Sequence, residues 1–289
     1  MGVHPPVDPG HRHVEPSSVH EPGVLGVSAV NLSAMANLAV GAARSAGELI
    51  ITRRGDSTRT FKNTHVGSID YATETDLASE ALLRKALERS GLSFHGEETA
   101  GHDVNDGWCW VVDPIDGTLN WANNLPFCAI SIGLCHNGVP VLGVIHTPLL
   151  NGRTWVGVVG EGASCDGRAV SVNDVDPREA VIAYDGVRGN GPDPYLAALR
   201  GAVGRHRLLG STATEMALCA DGGFAAVVAP SAMFWDVAAG IALVQAAGGK
   251  AVALDGGEPV PGSGSVVVGS ARTVDAVVNA ISSIGDPNR

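Results

Sequence analysis

The sequence predicts a mixed α/β (α+β) protein in which sheets and helices form layers. Strand-like runs occupy the middle of the chain, and the dipeptide Asn137-Gly138 between two of them is a strong hairpin signal. Later strand-like runs alternate with helical segments, such as the apolar stretch 237–247 that ends at Gly248. Strands that are first paired by hairpins and then alternate with helices indicate packed layers of both kinds.

The N-terminal part is predicted to be a disordered leader followed by an amphipathic helix. Residues 1–23 are rich in His and Pro and lack apolar periodicity, which is typical of a solvated tail. The segment 24–51 has no basic stretch directly before it and contains Arg44 and Glu48, which argues against a signal peptide or a membrane span. Its apolar side chains recur at helical spacing, at Val30, Ala34, Leu38, Ala42, Ala46 and Ile50.

A second helix is predicted over about 75–90, with Gly91 as its C-terminal stop. Asp76 would lie in the first turn of this helix, where a favourable interaction with the helix dipole explains it as well as a catalytic role does. A short strand over 92–95 then leads into Gly96-Glu97-Glu98-Thr99, an acidic pair that taken alone would be a surface turn. The other predicted strands cover 128–134, 139–146, 154–159, 169–172, 181–184, 224–229, 251–254 and 265–268, and the other predicted helices cover 194–201 and 273–284.

The apolar run 108–112 is predicted to be a central strand that ends in Asp113-Pro114-Ile115-Asp116-Gly117-Thr118. Pro114 fixes its own φ and Gly117 permits a conformation closed to most residues, so the turn would hold both aspartates in a defined geometry. Two carboxylates held together repel each other unless cations lie between them. Mg²⁺ is the natural candidate because no His or Cys accompanies them. An ordinary acidic turn, with Asp116 as a helix N-cap, is an equally open interpretation.

Two later segments also place candidate site residues at the start of a predicted helix. Gly210-Ser211-Thr212 lies between a strand-like run and a predicted helix over 213–220, which resembles an anion-binding helix N-terminus, although an ordinary N-cap has the same pattern. Asp236 would start the apolar helix over 237–247. N-capping and metal binding both account for an aspartate at that position.

Composition limits the classes of function. At 289 residues, with 45% hydrophobic and 17% charged residues, the chain can bury a large core. The net charge of -11 argues against a nucleic-acid partner, because phosphate neutralisation needs clustered Lys and Arg; no membrane partner is expected either. The five cysteines form no C-x-x-C pair, so buried free thiols and a reducing, cytoplasmic compartment are expected.

Three segments resemble, in this order, the signature motifs of the inositol monophosphatase family: 96–99 (GEET), 113–121 (DPIDGTLNW) and 235–240 (WDVAAG). The resemblance covers about 30–284 and, through 210–212 and 220–222, is greatest to actinobacterial members. It implies a layered α-β-α-β-α sandwich that functions as a homodimer. It also implies one phosphatase unit over 24–289, with a metal-binding half at about 24–180 and a C-terminal half at about 181–289 that completes the site.

The resemblance further implies lithium-sensitive, Mg²⁺-dependent hydrolysis of a phosphomonoester, with two or three Mg²⁺ ions in each active site. By motif matching, Asp113 would bridge two of these ions, and Glu97 would also help to hold a weaker third one. The complete set of metal ligands would be the carboxylates of Glu97, Asp113, Asp116 and Asp236 together with the carbonyl oxygen of Ile115.

The same motif matching implies the other site residues. Asp76 and Thr118 would activate the attacking water, next to Glu97, and the backbone N–H groups of Gly117 and Thr118 would hold phosphate oxygens. The complete set of residues expected to bind the phosphate or the rest of the substrate is Gly117, Thr118, Gly210, Ser211 and Asp236.

Inositol 1-phosphate is the expected substrate. Ala229, however, occupies the position at which animal members have a glutamate that contacts an inositol hydroxyl. Histidinol phosphate, fructose 1,6-bisphosphate and adenosine 3',5'-bisphosphate are therefore alternative substrates. A hypothesis of a different class is an interaction or regulatory protein that retains the fold, since some bacterial relatives act in transcription. The intact set of carboxylates favours the enzyme, because a scaffold has no need for buried charges that repel each other.

Overall fold

The computed structural model describes residues 1–2, 30–54, 59–62, 70–186 and 193–284, and the folded unit begins at Asn31. Apart from Met1 and Gly2, the predicted leader lies outside the described residues. The described helices are α1 (Leu32–Thr52), α2 (Glu74–Leu87, continued by a 3-10 turn over Glu88–Ser90), α3 (Thr118–Ala122), α4 (Pro194–Ala202), α5 (Thr212–Ala220), α6 (Phe234–Ala246) and α7 (Ala271–Ser282).

The described strands form three sheets. Their bounds are β1 (Arg59–Lys62), β2 (Asp70–Thr73), β3 (Ser93–Gly96), β4 (Ala100–Gly101), β5 (Trp108–Asp116), β6 (Ala129–His136), β7 (Val139–Thr147), β8 (Arg153–Val158), β9 (Gly162–Cys165), β10 (Arg168–Ala169), β11 (Val181–Tyr184), β12 (Arg205–Arg207), β13 (Ala226–Ala229), β14 (Lys250–Val252) and β15 (Val266–Gly269).

The largest sheet has eight strands in the order β10-β9-β8-β7-β6-β5-β3-β4, and it is antiparallel except for the pair β3 and β5. The second sheet has five strands in the order β12-β11-β13-β15-β14, in which β11 runs parallel to both β12 and β13. Strands β1 and β2 form a separate antiparallel pair. The mixture of hairpins and parallel crossovers confirms the predicted α+β class.

Helices cover the sheets in the predicted layer order. Helices α1 and α2 pack on one face of the eight-stranded sheet, and α5 and α6 lie between the two large sheets. Helices α4 and α7 pack on the outer face of the five-stranded sheet, around a second apolar core. The result is the α-β-α-β-α sandwich. None of the helices in the described part of the chain is both long and apolar enough to cross a bilayer.

Helix α1 begins later than predicted and buries a slightly different face. Asn31 is its N-cap, and its side chain accepts a hydrogen bond from the backbone N–H of Ala34 at 3.0 Å, so the first turn starts at Leu32 rather than within 24–29. Residues 42, 46 and 50 are buried as predicted, whereas Ala34 is exposed. Small residues set this face: a Cβ atom at Gly47 would overlap the ring of His146 on β7.

The turn between β6 and β7 confirms the hairpin prediction. Asn137 and Gly138 both have positive φ, at 51° and 75°, as a tight two-residue hairpin turn requires. The predicted strand over 169–172 is shorter in the structure, where β10 covers Arg168–Ala169. All five cysteines, at 109, 128, 135, 165 and 219, are buried free thiols, as expected.

A row of glycines positions α6 on the eight-stranded sheet. Gly133, Gly143 and Gly157 are register partners on the adjacent strands β6, β7 and β8. A Cβ atom at Gly133 would lie 3.0 Å from Ala238 Cβ, and one at Gly143 would overlap the carbonyl oxygen of Ala239. The backbone of α6 therefore lies directly on the sheet. This close packing places the first turn of α6 beside the end of β5.

Asp236 lies in that first turn but does not cap it, which corrects one of the two predicted roles. The N-cap of α6 is Met233, and the helix begins at Phe234 rather than after Asp236. The carboxylate oxygen Oδ2 of Asp236 accepts the backbone N–H of Met233 at 2.8 Å. Asp236 thus closes the helix start from the third helical position, because its side chain reaches back by one turn.

Candidate active site

The turn after β5 holds two aspartates at fixed positions. Asp113 Oδ1 accepts the backbone N–H of Ile115 at 2.9 Å, which orients that carboxylate. Gly117 follows with φ of 82°, in the left-handed region that favours glycine. A Cβ atom there would lie 2.8 Å from the carbonyl oxygen of Phe127 and 3.0 Å from Ser211 Cβ. Gly117 is therefore required both by its backbone conformation and by the close approach of two other segments.

Three aspartates from distant parts of the chain meet at this turn. Carboxylate oxygens of Asp113, Asp116 and Asp236 lie within 4.8 Å of one another, and all three side chains are buried. The carboxyl groups of Glu97 and Asp113 are in hydrogen-bond contact. The backbone N–H of Glu97 donates to the carbonyl oxygen of Val112 at 3.1 Å, so this glutamate follows β3 alongside β5. All four carboxylates that were predicted as metal ligands lie together.

The electrostatics of the cluster suit a bound cation. Burial, followed by the charges of Glu97, Asp116 and Asp236, raises the pKa of Asp113 well above its usual range. Burial also raises the pKa of Asp116 to about 7. Such groups resist ionisation unless positive charge lies beside them. The donors are carboxylates and the nearby carbonyl oxygen of Ile115, which are the ligands of a hard divalent ion. The residues therefore fit a divalent metal.

Asp116 has a second partner, the N-terminus of α5. Its carboxylate accepts the backbone N–H groups of Thr212 at 3.2 Å and of Ala213 at 3.0 Å, together with the hydroxyl of Ser211. Ser211 is the N-cap residue of α5, but its own side chain makes no capping bond to the helix. The prediction that Asp116 is the N-cap of the helix after it is wrong, because Gly117 is the N-cap of α3. Asp116 instead accepts the free N–H groups of α5, a helix distant in sequence.

Gly210 and Ser211, which were predicted to bind substrate, lie against the aspartate turn. Ser211 is buried beside Asp116, and the carbonyl oxygen of Gly210 lies 3.0 Å from the position of a Cβ atom on Gly117. The helix N-terminus that resembled an anion site thus faces a carboxylate of the protein itself. Ala229 is buried at the end of β13.

Asp76 and Thr118 form a hydrogen-bonded pair next to the cluster. Asp76 Oδ2 accepts the backbone N–H of Thr73 at 2.9 Å, and also its hydroxyl, in a capping box at the start of α2. Asp76 Oδ1 lies 2.9 Å from the hydroxyl oxygen of Thr118, which is also 2.9 Å from the carbonyl oxygen of Ile115. Burial raises the pKa of Asp76, and the charge of Glu97 adds to that rise. One oxygen of Asp76 therefore caps α2 and the other binds Thr118. The position at the helix start is confirmed, and the catalytic role stays a prediction.

Sequence reasoning missed two residues that hold the site loops. Asn120 Nδ2 donates to the carbonyl oxygens of Phe127, Leu209 and Gly210, at 2.8, 2.7 and 3.0 Å. Glu80, which is fully buried on α2, accepts the backbone N–H of Glu98 at 2.7 Å and thereby holds the turn that carries Glu97. Asn120 lies within the motif 113–121, and that position could have marked it as a site residue. The burial of Glu80 depends on tertiary packing, so the sequence alone could not show it.

A third missed residue is Glu215, on α5. It is fully buried, and burial raises its pKa to about 8. Its Oε1 accepts the backbone N–H of Leu209 at 2.6 Å, while Oε2 has no hydrogen-bond partner among the described residues. The sequence signal was a charged residue within an otherwise apolar helix.

Comparisons with known proteins agree with this site. A model of the inositol monophosphatase family matches residues 31–285. The chain is 37% identical over 230 residues to the probable inositol 1-monophosphatase ImpA of Mycobacterium tuberculosis, covering 75% of this chain and 84% of that protein. It resembles the structure of the extragenic suppressor protein suhB from Bartonella henselae, with a TM-score of 0.79, 27% identity, and coverage of 86% of this chain and 98% of that chain. It also resembles the inositol monophosphatase from Anabaena, with a TM-score of 0.77, 25% identity, and coverage of 89% and 99%. The chain therefore belongs to the inositol monophosphatase family, a family of phosphoric monoester hydrolases.

Proposed function

We propose that the protein hydrolyses inositol 1-phosphate to inositol and inorganic phosphate in a Mg²⁺-dependent reaction. The observation that carries this proposal is the buried cluster of Asp113, Asp116 and Asp236, with Glu97 in contact with it. The similarity to the mycobacterial protein named as a probable inositol 1-monophosphatase supports the choice of substrate. Membership of a family of phosphoric monoester hydrolases supports hydrolysis of a phosphate ester as the reaction.

The carboxylates and one carbonyl would hold the metal ions. The proposed ligands of two or three Mg²⁺ ions are the carboxylates of Asp113, Asp116, Asp236 and Glu97 and the carbonyl oxygen of Ile115. Bound Mg²⁺ supplies neutralisation of the phosphate charge, a lower pKa for water and stabilisation of the leaving alkoxide. Lithium would inhibit by taking one of these positions.

The protein side chains would then bind and orient the reactants. Thr118 would take a proton from the attacking water as its own hydroxyl proton passes to Asp76, which lies 2.9 Å away. The backbone N–H groups of Gly117 and Thr118 bind phosphate oxygens at the turn. Ser211 and Gly210 lie against the same turn, where the hydroxyl of Ser211 holds Asp116 in place.

A phosphate-release panel tests the proposal. With Mg²⁺, we expect inositol 1-phosphate to be hydrolysed with a higher kcat/KM than fructose 1,6-bisphosphate, histidinol phosphate or adenosine 3',5'-bisphosphate. Chelation of the metal should abolish release from every ester. Release of no phosphate from any of the four esters would refute the phosphatase assignment, and preference for another ester would correct the substrate.

A cytoplasmic homodimer is the proposed form of the enzyme. The free, buried state of all five cysteines supports a reducing compartment. Three exposed leucines, Leu119, Leu125 and Leu208, lie on the segments that Asn120 ties together, and exposed apolar groups of this kind suit a subunit contact. Light scattering should give twice the monomer mass for the wild-type protein. Leu208→Glu should lower the measured mass towards that of the monomer, because it places a charge in the proposed subunit contact.

A further inference from the structure

Asp185 lies at the end of a strand of the five-stranded sheet. It follows β11 directly, and its backbone N–H donates to the carbonyl oxygen of Val228 at 3.0 Å. Because β11 and β13 are parallel, with Tyr184 paired to Val228, Asp185 lies beside Ala229 at the carboxyl ends of both strands. Ligands of α/β proteins bind outside the carboxyl ends of parallel strands.

The carboxyl groups of the site are arranged in a series. Asp76 is hydrogen-bonded to Thr118 on one side of the aspartate turn, which is the side of the attacking water in the proposed function. On the other side Asp116 caps α5, the helix that carries Glu215, and the charge of Asp185 acts on Glu215. The series therefore runs from Asp76, through Asp116, to Glu215 and Asp185.

Glu215 supplies independent evidence that this end of the series takes a polar group. Its side chain is fully buried, and its Oε2 has no hydrogen-bond partner among the described residues. Buried polar atoms are almost always paired, so an orphaned carboxyl oxygen points to a bound polar group such as a hydroxyl, which can donate or accept a hydrogen bond. Ala229, at the neighbouring strand end, has no polar side-chain atom to offer.

The geometry of phosphoryl transfer assigns a role to this end. The attacking and leaving oxygens lie roughly in line, on opposite sides of the phosphorus. If the water lies beside Asp76 and Thr118, the leaving group lies at the Asp185 end. We propose that Asp185 determines leaving-group specificity: it accepts hydrogen bonds from the hydroxyl groups of a neutral polyol, and its charge repels a second phosphate. This inference rests on the proposed phosphatase function.

The variants Asp185→Ala and Asp185→Asn test the inference, with inositol 1-phosphate, p-nitrophenyl phosphate and fructose 1,6-bisphosphate as substrates. Loss of a hydrogen bond to a charged acceptor should lower kcat/KM for inositol 1-phosphate about tenfold in the alanine variant, mainly through KM. Hydrolysis of p-nitrophenyl phosphate, whose leaving group has no hydroxyl to donate in the ester, should stay within about twofold. Both variants should raise the rate with fructose 1,6-bisphosphate relative to inositol 1-phosphate. Asp174→Ala is the control, because it removes one negative charge from an exposed position and so matches the charge change of Asp185→Ala.

The outcomes separate this inference from the proposed function. If kcat/KM of the Asp185→Ala variant falls equally with inositol 1-phosphate and p-nitrophenyl phosphate, the specificity role of Asp185 is overturned. It is also overturned if kcat/KM falls with neither substrate. A wild-type enzyme that prefers the bisphosphate overturns it as well. A wild-type protein that hydrolyses none of the three esters overturns the proposed function instead. Calorimetric binding of inositol 1-phosphate in Ca²⁺, to wild type and to Asp185→Ala, then decides the role of Asp185: equal affinities overturn it, and weaker binding by the variant supports it.

Discussion

Asp116 Oδ2 accepts the backbone N–H of Ala213 at 3.0 Å, so a carboxylate at the end of the eight-stranded sheet caps a helix that lies between the two large sheets. The same side chain belongs to the three-aspartate cluster. A negative charge is stabilising at a helix N-terminus, and α5 therefore helps to keep Asp116 charged beside its neighbours. The three-aspartate cluster and the packing of α5 are coupled through this one residue.

Asp116→Asn should remove at least about 99% of Mg²⁺-dependent phosphatase activity, because loss of a ligand exceeds the effect of changing an outer partner of a metal site. The amide can still accept a hydrogen bond from Ala213, so the circular dichroism spectrum should match that of wild type. Asp174→Asn, at an exposed position, is the control. Full activity in Asp116→Asn would eliminate Asp116 as a ligand.

Ser211→Ala should weaken metal binding more than it slows turnover. The hydroxyl of Ser211 donates to Asp116, and loss of such an outer partner lowers metal affinity roughly 10- to 100-fold. A Mg²⁺ activation curve should shift to higher concentration, with little change in the rate at saturation. Ser211→Thr, which keeps a hydroxyl, should restore the affinity. A rise in the KM for substrate without any shift in the curve would contradict this role.

Thr118→Ala should lower kcat by about 10²- to 10⁴-fold, the range of general acid–base contributions, because Asp76 loses its contact with the site. The Mg²⁺ activation constant should change far less, since the ligand carboxylates are untouched. Thr118→Ser keeps the hydroxyl and should retain most activity. An unchanged kcat in the alanine variant would exclude the hydroxyl from water activation.

The metal-free protein should lose stability as pH rises from about 4 to about 7. Burial raises the pKa of Asp116 to about 7, so the native state binds more protons than the unfolded state over this interval. The slope of the unfolding free energy with pH is then negative. Asp116 contributes its full stabilisation below the pKa that it has in the unfolded state, and this stabilisation is lost as the pH rises above the pKa that it has in the folded state. A shift of about three pKa units corresponds to an effect on the order of 4 kcal/mol.

Urea unfolding in EDTA measures this effect. Between about pH 5 and about pH 8, wild type should lose stability relative to Asp116→Asn, which cannot ionise. Added Mg²⁺ should restore more stability at the higher pH. Parallel pH profiles of the two proteins would show that Asp116 does not titrate in this way.

Gly143→Ala should destabilise the protein by about 1–3 kcal/mol, because the added methyl group overlaps the carbonyl oxygen of Ala239 on α6. Activity should fall as well, since α6 carries Asp236. Gly41→Ala is the control: on α1, no neighbouring atom lies within 4 Å of an added Cβ, and this change should stabilise by about 0.5–1 kcal/mol. Similar effects of the two substitutions would refute the close packing of α6.

The sequence predicted the parts of the site whose signals are local. The turn at Asp113 to Thr118, the hairpin at Asn137 and the helix that contains Asp236 each have short-range patterns of turn residues or apolar spacing. The capping of α5 by Asp116 has no such pattern, because it joins residues far apart in the chain. Local spacing could not show that Ala34 is exposed, since alanine suits either face of a helix.

The burial of charged side chains also depends on long-range packing. Glu80 looks like an ordinary helical glutamate, and Glu215 is recognisable only as a charged residue in an apolar helix. The packed neighbours show that both are inaccessible to solvent. The role of Asp185 likewise depends on the parallel register of β11 and β13, which brings it next to Ala229. Sheet register of this kind is set by long-range pairing, which a single sequence does not display.

The glycine row also makes the cluster depend on the C-terminal half of the chain. Strands β6, β7 and β8 precede α6 in the sequence, so Gly133, Gly143 and Gly157 are synthesised before the helix that packs on them. Asp113 and Asp116 are then already present, whereas Asp236 follows with α6. The three-aspartate cluster is therefore complete only when α6 lies on the sheet.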